Sequence, residues 1–133
     1  SDMKKFKKLL AVLLIVAAVC ALTAVPASAA SASGNGNGDG FNWSSSLTLN
    51  STSATARMVV SKKPSGAAPA YFCAEVKGYV YSYNGGRSMI SNSSGFVTGD
   101  TAIAVGSAGI SNASTAFCDY YAQGIVVGSL SLP

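Results

Sequence analysis

The sequence predicts an all-β fold, either a small antiparallel β-sandwich or a barrel, and three observations support this. From Phe41 onward, apolar and polar side chains alternate with a period of two, which is typical of strands with one buried face. Short clusters of turn-forming Gly, Pro, Asn and Ser separate these runs. Beyond residue 30, no segment places apolar residues at helical spacing, and glycine and β-branched residues, which disfavour helices, occur throughout.

The amino-terminal residues have the composition of an export signal. Ser1 and Asp2 precede Met3 and read as a cloning scar. Residues 3–30 begin with lysines and continue with an uncharged apolar run over 9–22. Because that run is shorter than the ~20 residues of a membrane-spanning helix, an uncleaved anchor is the less favoured alternative. We therefore predict a helical signal peptide that contacts the membrane only during export.

Small residues at the end of this leader indicate where signal peptidase would cut. The cleavage region contains Ala27, Ala29 and Ala30, and a second small-residue motif ends at Ala32. Cleavage is therefore expected after Ala29, Ala30 or Ala32. The short, lysine-rich leader is typical of bacteria, so we expect a secreted protein of a Gram-positive bacterium.

The exported part divides into two segments of different composition. Residues 31–40, SASGNGNGDG, carry almost no apolar side chain and predict a flexible Gly/Asn/Ser linker. Residues 41–133 have the length of a single domain. They contain roughly six to eight short strands, and an immunoglobulin-like sandwich is one arrangement that this number permits.

Two cysteines of the exported part, Cys73 and Cys118, predict a disulfide, because an even number of cysteines in an exported protein favours pairing. Such a bond would stabilise the fold by roughly 4 kcal/mol in the chain-entropy model. The alternative is a pair of free, buried thiols.

The clearest strand runs over residues 71–83 and carries a stripe of tyrosines. One face holds Phe72, Ala74, Val76, Gly78 and Val80, and the other holds Cys73, Glu75, Lys77, Tyr79, Tyr81 and Tyr83. Tyrosine rings are rigid and amphipathic, which suits the recognition of sugars or proteins, although tyrosine also favours strands for packing alone. We predict a ligand face formed by Tyr79, Tyr81 and Tyr83, with a glycan or a protein at a cell surface as the partner.

The charged residues argue against nucleic-acid binding. The whole chain has a net charge of +4, of which four lysines and one aspartate in residues 1–30 account for +3. The exported part is therefore close to neutral and lacks the basic face that nucleic acids require.

The residue types present also argue against catalysis. The chain has no histidine, so neither a Ser-His-Asp nor a Cys-His arrangement can form, and histidine-based metal sites are excluded. The four acids of the exported part could in principle form a glycosidase pair or a calcium site. They are Asp39, Glu75, Asp100 and Asp119. Their positions favour neither, so we predict no enzyme, no cofactor and no metal.

Function is open among three classes. The lysine-rich leader, the Ala-x-Ala site and the Ser/Thr/Tyr-rich strands resemble those of lactococcin-type bacteriocins, which are small secreted β-sandwiches. The first hypothesis is a secreted or surface-bound module that binds or adheres without catalysis. The second, which the resemblance implies, is a bacteriocin-like toxin. The third is self-assembly into an extracellular matrix or fibre through open strand edges.

Overall fold

The computed structural model describes residues 30–133, and the predicted signal peptide lies outside this range except for Ala30. The described range contains eight strands and no helix, so the all-β prediction is confirmed. It accordingly contains no helix with the length and apolar character that crossing a membrane requires. The strands are β1 (Ala30–Asn37), β2 (Phe41–Leu49), β3 (Ser53–Lys62), β4 (Ala74–Ser82), β5 (Arg87–Ser93), β6 (Thr101–Gly109), β7 (Ala113–Ala122) and β8 (Ile125–Leu132).

The strands form two antiparallel four-stranded sheets that face each other. The first sheet has the order β1-β2-β3-β6 and the second the order β5-β4-β7-β8. Within the described range, each sheet has two edge strands that pair on one side only. Because a barrel closes on itself and has no edge strands, the barrel alternative is wrong. Strand β1 lies opposite β8 and strand β6 lies opposite β4 and β5. The architecture is therefore that of a two-layer β-sandwich.

The core lies between the two sheets and is built from the inward-facing residues of each alternating run. The largest fully buried side chains are Tyr120, Leu47, Leu49, Met58, Ile90, Val60, Val76, Val80 and Cys118. Many of the remaining buried positions hold alanine, which leaves little side-chain volume between the two layers. Burying each large aliphatic side chain stabilises the fold by about 1.5–3 kcal/mol.

The segment expected to be a flexible linker forms β1 over most of its length, so that prediction is wrong. Ala30 to Asn37 pairs antiparallel with β2, from Ala30 opposite Leu49 to Asn37 opposite Asn42. Its alanines and glycines are half-buried and its serines and asparagines are exposed in strict alternation. Strand pairing depends on backbone hydrogen bonds, which the free edge of β2 supplies even to a segment with few apolar side chains.

The single tryptophan closes the sandwich between β1 and β8. The ring of Trp43 lies so close to Gly36 that a Cβ atom there would approach the indole to 2.7 Å. A Cβ atom on Gly128 would approach the same ring to 3.1 Å. Trp43 therefore requires small residues on both edge strands, and it covers the core where the two sheets would otherwise open.

The predicted disulfide is also wrong, because both cysteines are free thiols. Cys118 is buried and lies opposite Gly78, whereas Cys73 adjoins Gln123, whose backbone N–H donates to the Cys73 carbonyl at 3.0 Å. The two cysteines are therefore about five residues apart along the strands, or roughly 17 Å. A disulfide requires Cα atoms within about 7 Å.

The free thiols give a measurable expectation. A reducing agent should change the free energy of unfolding of the native protein by no more than about 0.5 kcal/mol, whereas reduction of a disulfide would lower it by about 4 kcal/mol. Urea unfolding with and without dithiothreitol measures the difference. Mass spectrometry after alkylation in urea, without prior reduction, should find both Cys73 and Cys118 modified. The Cys73→Ser variant is the matched control, and a reductant effect in wild type that this variant lacks would contradict the expectation.

Candidate ligand face on the second sheet

Two of the three tyrosines predicted to form a ligand face lie side by side on the outer surface of β4. Inward residues of this strand are buried, while Tyr79 is half-buried and Tyr81 exposed on the opposite side. Their ring centroids are 6.1 Å apart. Tyr83 follows the end of β4 and is 76% exposed, so it extends beyond the sheet. The structure therefore brings Tyr79 and Tyr81 together and leaves Tyr83 at the margin.

Strand register adds two apolar side chains that sequence reasoning did not identify. Tyr79 is directly opposite Met89 on β5 and Phe117 on β7. Met89 is 62% exposed and Phe117 is 39% exposed, so together with Tyr79 they form a contiguous apolar patch on the outer face. The three side chains form one row across the sheet, which we call the apolar row. The alternation around Cys118 places Phe117 on the outer face, but only the pairing of β4 with β7 places it beside Tyr79.

A polar row runs parallel to the apolar row, one outward position further along the strands. Ser91, Lys77, Asp119 and Ser129 occupy it in order from β5 to β8. The Ser129 hydroxyl donates a hydrogen bond to the Asp119 carboxylate. The Lys77 ammonium lies 3.7 Å from a carboxylate oxygen of Glu75.

The two rows enclose a shallow, open groove of about 360 Å³. Its lining is Lys77, Gly78, Tyr79, Met89, Ser91, Phe117 and Asp119. The size is at the lower end of the range for small-molecule sites, and the lining combines apolar surface with a few polar groups, as such sites do. A ligand lying across the groove would contact an apolar surface on one side and hydrogen-bonding groups on the other.

Two tyrosine rings of this surface make cation–π contacts with basic side chains. The Arg87 guanidinium lies over the Tyr79 ring at 4.6 Å from its centroid, and the Lys77 ammonium is 5.5 Å from the centroid of Tyr121. Each contact is worth about 0.5–1 kcal/mol at an exposed site. These contacts restrict the conformational freedom of both rings on the outer face.

The buried polar groups have a structural part in the fold. Burial raises the pKa of the Cys118 thiol to about 11, so this inward-facing thiol is neutral near pH 7. Burial also raises the pKa of Tyr120, whose hydroxyl donates a 2.7 Å hydrogen bond to the Ser46 carbonyl of the opposite sheet. Among residues 30–133, no three His, Cys, Asp or Glu side chains cluster so that they could hold a metal ion.

A second exposed aromatic pair lies away from the groove. Tyr71 and Phe96 meet edge to face at 4.6 Å between ring centroids. They lie near the end of the sandwich where the Phe72–Val97 bridge joins two loops. Exposed aromatic surface therefore occurs both on the outer face of the second sheet, where it adjoins the groove, and at one end of the molecule.

Comparison with protein families and with curated proteins gives no relative. The chain matches no protein-family model, and no curated protein is significantly similar to it in sequence. The geometry of the chain itself must therefore carry any functional assignment.

Proposed function

We propose that this chain is a non-catalytic binding or adhesion module of the cell exterior, and that a saccharide chain is the ligand of its groove. The observation that carries the proposal is the adjacency of the apolar row and the polar row. A sugar ring has an apolar C–H face and an edge of hydroxyl groups, and therefore needs an aromatic surface beside hydrogen-bonding groups. Tyr79 and Phe117 supply the surface, and Lys77, Asp119 and Ser91 supply the polar groups.

Variants of the apolar row test the proposal. Replacing both Tyr79 and Phe117 with alanine should weaken saccharide binding at least tenfold, which corresponds to about 1.4 kcal/mol, because two ring surfaces are lost. A glycan array first identifies the ligand, and calorimetry then measures its affinity for each variant. The free energy of unfolding should fall by only about 1–2 kcal/mol, since both side chains lie on the outer face and the change removes their cross-strand contact and the contact of Arg87 with Tyr79.

The matched control removes apolar side chains from the other sheet. Ile103 and Val105 are 46% and 44% exposed on the outer face of β6, so the double alanine variant removes a similar kind of surface far from the groove. This control should bind like wild type. Equal weakening by both double variants would argue against the groove, and a blank glycan array together with a blank cell-wall pull-down would overturn the saccharide proposal. Capture of a protein by the Tyr79 surface alone would replace the saccharide with a protein ligand.

We infer export from the leader, which lies outside the described residues, and this part of the proposal rests on the sequence alone. The site of cleavage matters for the fold, because cutting after Ala32 would remove the first three residues of β1, Ala30 to Ala32, whereas cutting after Ala29 would leave it whole. Sequencing the amino terminus of the protein recovered from a bacterial culture medium tests both points. Recovery only from the cytoplasm, with the leader intact, would contradict export.

We further propose that the sandwich is immunoglobulin-like. The support is that β3 lies between β2 and β6, while β4 lies between β5 and β7 and β7 is followed by β8. This order corresponds to strands A, B and E of an immunoglobulin sandwich opposed to C′, C, F and G, with no strand D and with β1 added beside A. Nuclear Overhauser contacts between β3 and β6 test this order, and contacts between β3 and β8 within one sheet would contradict it.

A further inference from the structure

The last strand, β8, is an edge strand whose outer side pairs with no other strand of residues 30–133. It pairs only with β7, and no backbone or side-chain group in residues 30–133 outside that ladder donates to its backbone or accepts from it. Its sequence, IVVGSLSL, contains neither a charged residue nor a proline. Natural edge strands usually carry one of these to prevent pairing with another chain. Ile125 and Val126 are exposed at the beginning of this strand.

The other edges of the sandwich are less suited to pairing. On the far side, β5 and β6 are tied across the layers, because Ser88 donates to the Gly109 carbonyl at 2.8 Å and Asn92 donates to the Val105 carbonyl at 2.6 Å. Strand β1 is rich in glycine, which weakens strands. Among the four edges, β8 therefore combines β-branched residues, free backbone groups and the absence of charge.

We propose that two copies of this chain associate through their β8 strands in antiparallel fashion. An edge strand needs an extended partner for its backbone groups, and β8 of a second copy meets this need without burying any charge. Two residues that lie opposite each other in an antiparallel pair point to the same face of the sheet. If a two-fold axis perpendicular to the sheet relates the two copies, one residue of β8 must therefore lie opposite the same residue of the second copy, and the axis passes between them. The outward-facing Ser129 lies in the regular part of β8, opposite Asp119 on β7 and next to the midpoint of the whole strand, so we place the axis there.

This pairing makes one continuous eight-stranded sheet from the second sheets of both copies. Because the two-fold axis is perpendicular to the sheet, both grooves would lie on the same side of the assembly. A long ligand could then contact both grooves at once, and the gain from such bivalence can reach 10²–10⁴ in affinity. The association itself is independent of the ligand, so it can fail while the groove binds, and the reverse.

Paired charge variants test the association. Val126 and Ser131 both point outward, since they lie opposite Tyr121 and Phe117, and the two-fold axis brings Val126 of one copy near Ser131 of the other. Sedimentation velocity over a wide concentration range should show wild type passing from monomer to dimer. The double variant Val126→Lys, Ser131→Lys should self-associate at least tenfold more weakly, as should the double glutamate variant. A mixture of the two should associate again, which a folding defect in either variant would not allow.

The matched control places two lysines on β1, the edge strand of the first sheet that lies opposite β8. Ser33→Lys with Asn35→Lys adds the same charge to exposed positions of β1 and should leave the dimer intact. Both the full chain and the fragment from Ala30 to Pro133 are used, because all eight strands and the core lie in the fragment while the leader could aggregate by itself. A monomer at every concentration, or equal dissociation by the β1 and β8 lysines, would overturn the proposal.

Discussion

Replacement of Gly78 by alanine is expected to lower the free energy of unfolding by about 3 kcal/mol or more. Gly78 lies in the middle of β4, opposite Cys118, and a Cβ atom there would come within 2.6 Å of the Cys118 Cα atom and still closer to the Phe117 carbonyl oxygen. The obstacle is backbone rather than a flexible side chain, so β4 and β7 would have to separate. Urea unfolding followed by circular dichroism measures the loss.

Gly99 provides the matched control for this prediction. A Cβ atom on Gly99 would meet only a Val97 methyl group at 3.9 Å, and the residue lies in an exposed turn. Gly99→Ala should therefore change the free energy of unfolding by no more than about 0.5 kcal/mol. If Gly78→Ala were as stable as Gly99→Ala, the close approach of β4 to β7 would be contradicted. The same result would also argue against the described groove, since Phe117 lies beside Tyr79 only if β4 pairs with β7 in this register.

Truncation of Tyr120 to alanine is expected to cost about 3–5 kcal/mol. Tyr120 is the largest fully buried side chain, and it extends from β7 across the core to the Ser46 carbonyl of the opposite sheet. The Tyr120→Phe variant keeps the ring and loses only the hydrogen bond, so its cost should be about 1–2 kcal/mol. Denaturant unfolding of both variants separates the cavity from the hydrogen bond, and equal costs would contradict this division.

Alkaline titration gives an independent measure of the same burial. The pKa values of Tyr120 and Cys118 are both raised in the folded protein, so in alkali the unfolded chain loses protons that the folded chain keeps. Stability from these groups is present below the unfolded pKa and is lost as the pH rises. The free energy of unfolding should fall from about pH 9, by up to about 1.4 kcal/mol per pH unit for each group. Above about pH 10 the fall should be shallower in Tyr120→Phe.

The strand faces could be predicted from sequence because side-chain orientation along a strand is a local property. In residues 71–83, the alternation correctly assigns Val76 and Val80 to the core and Tyr79 and Tyr81 to the outer surface. The error at residues 31–37 has the opposite cause. Ala, Ser, Gly and Asn also alternate there, but their small side chains give little apolar contrast, and the pairing that orders them is supplied by the backbone of β2.

The candidate site could be predicted only in part, because it depends on register between strands that are distant in sequence. The outward orientation of Tyr79 follows from the alternation within its own strand. The positions of Met89 and Phe117 beside it depend on strand pairings between residues that are ten and thirty-eight positions apart in sequence. The predicted disulfide failed for the same reason. Counting cysteines gives no information about register, and the observed pairing places Cys118 opposite Gly78 rather than near Cys73.

Because Trp43 lies between Gly36 and Gly128, its intrinsic fluorescence reports on the place where β1 and β8 meet. The chain has only one tryptophan, so fluorescence excited at long wavelength comes from a single indole located where the first and last strands meet. Any event that loosens β1 or β8 must admit water to that ring and shift its emission to the red. A ligand confined to the groove would leave the emission unchanged, so one cuvette measurement distinguishes events at the strand edges from events on the tyrosine surface.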